Sequence, residues 1–212
     1  MKSTQCLNSS AEKEHIHRQL KKGPVNWLIK ERLAWKPPER LTVGEWADKY
    51  RILDAKSSAE PGKWRTDRTP YLREVMDTFC DPEIEEIIMC CGSQLGKTES
   101  EQNMIGYVID QNPAPTLIVY PSDELAEFSS ENRIAPMVKR CPTLLNKFDE
   151  RASDRMELQF AGMYVAFGSA NSPSKLASRP VKYIFFDEVD KYPKFSGKEA
   201  SPISLGEERT KT

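Results

Sequence analysis

Ile84-Glu85-Glu86-Ile87-Ile88-Met89-Cys90-Cys91-Gly92-Ser93-Gln94-Leu95-Gly96-Lys97-Thr98 is the stretch on which the reading of this chain turns. Ile84, Ile87, Ile88 and Met89 lead into Cys90 and Cys91 as an apolar run, which reads as a buried strand. Beyond Thr98, the residues Met104, Ile105, Val108 and Ile109 fall on one face of a helix. Strand, Gly-Lys-Thr loop and helix together are the setting of a phosphate-binding loop. There the backbone N–H groups and the positive helix end face an anion, Lys97 reaches the outer phosphates and the Thr98 hydroxyl holds Mg²⁺. The G-x-x-x-x-G-K-[ST] spacing puts its first glycine where this chain has Cys91, and the glycine comes one place later, at Gly92. Taken alone, the tripeptide is equally an ordinary helix start. The flanking strand and helix favour the nucleotide reading.

A second signal lies downstream. Val181, Tyr183, Ile184, Phe185 and Phe186 form an apolar strand that ends in Asp187-Glu188. Burying an unpaired carboxylate is costly, so packing gives no reason for an acidic pair there. Beside a phosphate loop there is a chemical reason: the first acid positions Mg²⁺ and the second polarises the attacking water. The bland alternative is a polar turn capping a core strand. Both motifs in one chain, in this order, favour an ATPase.

The 212 residues suffice for one domain with a sizeable core, and 38% hydrophobic against 30% charged residues suits a globular chain. No apolar run has membrane-spanning length, and no segment reads as a signal peptide. Cys6, Cys80, Cys90, Cys91 and Cys141 lack metal-ligand spacing, and the adjacent Cys90 and Cys91 read as small buried residues. With only His15 and His17, a histidine-based metal or catalytic site is disfavoured. Net charge is −1, which argues against a uniformly basic nucleic-acid binder. Residues 1–40 nevertheless carry nine Lys or Arg against four Glu, a basic arm that either meets phosphates or a partner or is a solvated tail.

In chain order, the arm precedes a helix around Trp27 to Trp35 that is broken at Pro37-Pro38, and Thr42 is placed to cap a short helix. A loop rich in Ser, Pro and Gly runs to Thr69, with Trp64, Arg65 and Arg68 near its end. Pro70 starts a helix with Leu72, Val75, Met76 and Phe79 on its core face. Thr116 to Tyr120 reads as a strand, and Ser122 as the cap of a helix that Pro136 limits or kinks. Met156–Phe160 alternates, turns at Ala161-Gly162 and returns through Met163–Phe167 as a hairpin. A short helix is expected around Lys175 to Ser178. The expected fold is α/β, a parallel sheet flanked by helices with its site at the strand C-terminal ends.

Several stretches resemble the lambda gpA-like family of phage terminase large subunits. They are Cys90-Cys91-Gly92-Ser93-Gln94-Leu95-Gly96-Lys97-Thr98-Glu99, the segment from Tyr120 to Pro142, Gly168 to Pro193, and the closing Ser201 to Thr212. Gly62-Lys63-Trp64 with Pro70 to Asp77 resembles the adenine-side segment of that family, which puts Tyr71 near the base. The resemblance covers roughly residues 40–212 and implies a P-loop NTPase of the ASCE/RecA-like kind with an irregular N-terminal extension. It also implies the ATPase half of a DNA-packaging motor that uses ATP and Mg²⁺. The implied partners are double-stranded DNA, a small terminase subunit and a portal on a procapsid; the working form is a homo-oligomeric ring in the host bacterial cytoplasm, with no membrane involved.

Carried over by position, the resemblance implies that Gly92, Ser93, Gln94, Leu95, Gly96, Lys97 and Thr98 hold the phosphates, that Thr98 and Asp187 hold Mg²⁺, and that Glu188 is the catalytic carboxylate. Ser93 occupies the place of a loop arginine found in related motors, so an arginine from elsewhere is needed. Arg179 and Arg133 are the candidates, and each is equally a surface arginine. The family continues with a coupling strand and a nuclease domain; here residues 41–212 are expected to form a C-terminally truncated ATPase domain without nuclease activity and with poor turnover. The alternatives are a helicase-like P-loop ATPase and a truncated prophage product that binds nucleotide or partners without turning over.

Overall fold

The computed structural model describes residues 39–54, 60–172, 180–195 and 200–210. All but Glu39 belong to one compact unit, Arg40–Thr212. The expected N-terminal arm up to residue 38, the Trp27 to Trp35 helix, the Lys175 to Ser178 helix and Arg179 lie outside the described residues.

Helix α1, Val43–Tyr50, starts where Thr42 and Glu45 bond each other's backbone N–H groups, a complete capping box. Two short strands, β1 (Ile52–Leu53) and β2 (Gly62–Lys63), pair antiparallel. Helix α2, Tyr71–Thr78, follows Pro70 as its sequence predicts and buries Leu72 and Met76. Helix α3, Lys97–Gln111, is the longest of the described helices. Its Gly106 lets α1 lie close, because a Cβ there would stand 2.3 Å from the Trp46 ring. Trp46 is wholly buried, and its indole N–H donates to Asp110 at 2.9 Å. Burial works to raise the Asp110 pKa, but hydrogen bonds from Lys147, Gln111 and Trp46 outweigh it and hold the group below its ordinary value.

Strand β3, Thr116–Tyr120, is buried along its whole length. Ser122 caps helix α4, Asp123–Ser129, by accepting from the Leu125 N–H. A π-turn, Ser130–Ile134, joins α4 to helix α5, Ala135–Arg140. Pro136 lacks the N–H that a regular turn would use, and the Ala135 N–H reaches back five residues to Ser130 O. The expected kink is thus a widened turn. Helix α6 (Pro142–Leu145) and strand β4 (Phe148–Asp149) lead to the predicted hairpin, β5 (Glu157–Phe160) and β6 (Met163–Ser169). Gly162 closes the hairpin at φ 83°, a backbone region that favours glycine. Strand β7, Tyr183–Phe186, and helix α7, Pro202–Glu207, complete the unit.

The sheet order is β4-β5-β6-β3-β7. Strands β6, β3 and β7 run parallel, whereas β4, β5 and β6 are antiparallel. The expectation of a parallel sheet is corrected to a mixed one, because a two-residue hairpin turn forces its strands to oppose. On one face Ile118, Val165, Phe167 and Phe185 pack with Met104, Ile105 and Val108 of α3. On the other, Leu117, Val119 and Val181 pack with Leu205 of α7, and Ile184 and Phe186 line the same side. Gly206 brings α7 close, since a Cβ there would stand 2.5 Å from Ile184. Each fully buried Ile, Val or Leu contributes ~1.5–3 kcal/mol, so both faces hold the sheet.

The expected strand through residues 84–91 is the second correction. Those residues form no strand, and Ile88 is 80% exposed. An apolar run becomes a strand only when a neighbouring edge takes its N–H and C=O groups, and residues 84–91 register with none of the described strands. Glu83, Glu85 and Glu86 are exposed along this run and oppose its burial. Cys90 and Cys91, expected to be buried, are free and exposed for the same reason.

Candidate active site

Gly92 to Gly96 turns onto the start of α3. Gln94 and Glu188 are the two non-glycine residues with left-handed backbone among the described residues, at φ 60° and 55°. Each such conformation costs ~1–3 kcal/mol and tends to gather at functional sites. Gly96 precedes Lys97 at φ 83°, where a Cβ would meet Leu72 at 3.0 Å. No side chain caps α3, so its first N–H groups are left for other partners. Tyr71, half-exposed, donates its hydroxyl to Leu95 O at 3.2 Å and so braces the loop from α2. Ser93 and Leu95 are exposed in the turn, and Thr98 is half-buried in the first turn of α3.

The C-terminal edge of the sheet meets this junction. Tyr120 of β3 registers with Ser169 of β6, and Phe186 of β7 registers with Val119, so Asp187 comes level with Tyr120. Asp187 is 4% exposed, and its N–H donates to Val119 O at 3.1 Å. Lys97 Nζ stands 3.5 Å from Asp187 Oδ1, an ion-pair contact, while that oxygen accepts no hydrogen bond. The two motifs picked out in the sequence therefore touch. Glu188, next in the chain, pairs with Lys191 Nζ at 2.7 Å and is half-exposed. Tyr192 closes the turn by donating its hydroxyl to the same Val119 O at 2.7 Å.

Glu101 is a site residue that the sequence reading missed. It lies one turn beyond Lys97 on α3, is 5% exposed, and has one oxygen without a partner. Burial raises its pKa to about 8; the Asp187 charge adds to this, while Lys97 and Arg133 oppose it. A signal existed: Glu101 shares the helical stripe of Met104, Ile105 and Val108, and an acid on an apolar stripe calls for a reason. The phenols of Tyr120 and Tyr192 are raised by burial, with the Glu101 charge the next cause for both.

Arg133 sits on the π-turn, and its charge reaches Glu101 and Tyr120. Its guanidinium also lies 5.8 Å from the centre of the Phe128 ring, and both line a groove of about 700 Å³ together with Lys139 and Arg140. Arg51, 3% exposed, bonds Glu99 at 2.9 Å and Gln102 at 2.8 Å on the first turns of α3. Burial lowers its pKa and Glu99 opposes the shift. Among the described residues no cluster of three His, Cys, Asp or Glu side chains can hold a metal ion. One carboxylate oxygen, buried and lacking a donor, does suit a hydrated Mg²⁺ that keeps most of its waters.

Fold and site define an α/β protein of mixed sheet in which an uncapped helix start and an acidic strand end meet beside a lysine. The chain belongs to the family described as phage terminase large subunit gpA, ATPase domain, whose model matches residues 58–212. It is 25% identical over 179 residues to the terminase large subunit of Enterobacteria phage P21, covering 81% of this chain and 27% of that protein. It is 24% identical over 180 residues to the terminase large subunit of Escherichia phage lambda, covering 81% of this chain and 28% of that protein. The chain thus spans about a quarter of the length of these curated relatives. No described helix is long and apolar enough to cross a membrane.

Proposed function

We propose that this chain binds ATP with Mg²⁺ and hydrolyses it as the ATPase part of a phage DNA-packaging terminase large subunit. The carrying observation is the 3.5 Å contact between Lys97 and Asp187, which joins the loop motif to the acidic strand end. In this reading residues 41–212 are a P-loop NTPase domain and residues 1–40 a basic arm. Gly92 to Gly96 and the N–H groups at the start of α3 surround the outer phosphates, Lys97 supplies a positive charge to them, and Tyr71 stands on the base side. Thr98 and Asp187 hold Mg²⁺, which when bound draws charge from the phosphate oxygens. Glu188 orients the attacking water and takes its proton, after leaving Lys191. Arg133 supplies charge to the phosphates from the π-turn, in the same subunit or across to a neighbour; Arg179 is the other candidate. Hydrolysis drives double-stranded DNA through a homo-oligomeric ring docked on a portal, with the small terminase subunit delivering the DNA, in the host bacterial cytoplasm. This family-level part of the reading draws on the terminase relatives.

A second reading, nucleotide binding without turnover, draws support from Glu188 being engaged by Lys191. ATP binding and phosphate release by the parent, Lys97→Ala and Glu188→Gln decide between them. The first reading expects Lys97→Ala to weaken binding, and Glu188→Gln to keep binding while losing ~10²–10⁴-fold in rate. A parent that binds ATP without releasing phosphate, with or without DNA, leaves only the second.

A further inference from the structure

Helix α3 carries an acid close to where an anion would bind. Glu99 is its third residue, and a glutamate at that position ordinarily folds back over the helix start and lies against its positive end. Glu45 at the start of α1 does so, accepting from the Thr42 N–H at 2.9 Å. The same posture at α3 would lay a carboxylate over the N–H groups that phosphates would use. Glu99 is instead turned aside, with Oε2 accepting from Arg51 Nη2 at 2.9 Å. Arg51 arrives from the end of α1. Its Nη2 also donates to Gln102 Oε1 at 2.8 Å and its Nη1 to Ile52 O at 2.9 Å. Trp64 N–H in turn holds the Arg51 carbonyl at 3.0 Å. A well-packed apolar side chain would fill a buried place at lower cost than a guanidinium, so packing alone gives no reason for an arginine here.

We propose that Arg51 is a positioning residue of the nucleotide site, drawing the Glu99 carboxylate off the start of α3 and neutralising it so that this helix end stays open to phosphate. The inference rests on the reading of residues 92–98 as a phosphate loop. It assigns the segment before the loop a part in anion binding that neither motif contains. Glu99 and Gln102 are three residues apart on one flank of the helix, so one planar guanidinium grips both and fixes the direction in which Glu99 leaves the helix.

The test measures ATP binding by the full chain at low ionic strength without divalent ions, with tripolyphosphate as a competitor and adenosine as the phosphate-free control. Arg51→Gln is expected to weaken ATP and tripolyphosphate about fivefold, leaving adenosine unchanged. Adding Glu99→Gln to it should restore binding, which a merely structural role for Arg51 would not produce. Glu99→Gln alone should bind as the parent does, because its carboxylate is already tied off; tighter binding there would mean that net charge alone governs and would overturn the proposal. If thermal unfolding shows Arg51→Gln to be unfolded, Arg51→Lys takes its place: it keeps the charge without the fork, so a smaller loss and the same recovery with Glu99→Gln are expected. A loss that persists in the double variant overturns the proposal. So does parental binding by the Arg51 variants while Lys97→Ala binds weakly. If Lys97→Ala also binds as the parent does, the phosphate-loop reading itself falls.

Discussion

Glu101→Gln keeps the shape of a side chain that is 5% exposed and removes its ability to ionise. The carboxyl has an ordinary value of 4.5, which applies in the unfolded chain, and burial raises it to about 8 in the folded one. The native state therefore holds this proton more tightly than the unfolded state does. Below pH 4.5 both states carry it, and the group sets no limit on stability. As pH rises toward 8 the unfolded chain releases the proton and the folded protein does not, so native stability drains away until the folded group also ionises. At 1.36 kcal/mol for each pH unit, the loss reaches ~3 kcal/mol at pH 7 and ~5 kcal/mol above pH 8. Glutamine escapes all of it. Urea unfolding of parent and variant from pH 5 to pH 9, without divalent ions, should show the variant gaining stability over the parent as pH rises. A difference that stays constant within ~0.5 kcal/mol across that range would refute the reasoning, because only ionisation of this carboxyl supplies the pH dependence.

Gly106→Ala should destabilise the fold by ~1–3 kcal/mol, since its Cβ would stand 2.3 Å from the buried Trp46 ring and α1 would have to move off α3; thermal unfolding checks this. Arg133→Ala should lower ATP turnover by on the order of 10³-fold if this arginine meets the phosphates, with binding less affected, and mixing it with Lys97→Ala subunits should recover activity only if the arginine acts across a subunit boundary.

What the sequence made legible was local. The Thr42 and Ser122 caps, the start of α2 at Pro70 and the turn at Gly162 are each decided within a few residues, and the structure has each of them. One long-range feature was legible too, the approach of the two motifs, which the order of strands and helices implies and the Lys97–Asp187 contact realises. What the sequence did not reveal depends on neighbours distant along the chain. Ile84 to Cys91 has the composition of a strand, but composition does not supply a pairing edge. The apolar stripe of α3 marks Glu101 as unusual, but its coupling to Asp187 and Tyr120 depends on the sheet edge that packs against it. Arg51 likewise shows nothing in sequence, because its partners, Glu99 and Gln102, lie 48 and 51 residues away.

The Val119 carbonyl receives both the Asp187 N–H and the Tyr192 hydroxyl. Glu188 is therefore carried in a small loop whose two ends are tied to one oxygen, on a strand held from both sides by β6 and β7. A pull on the chain beyond Tyr192 is therefore shared between the backbone of this turn and the hydrogen bond to the sheet. In mechanical terms the Tyr192 anchor ties the far end of the turn to the sheet, so that a displacement of the chain beyond it meets resistance at β3.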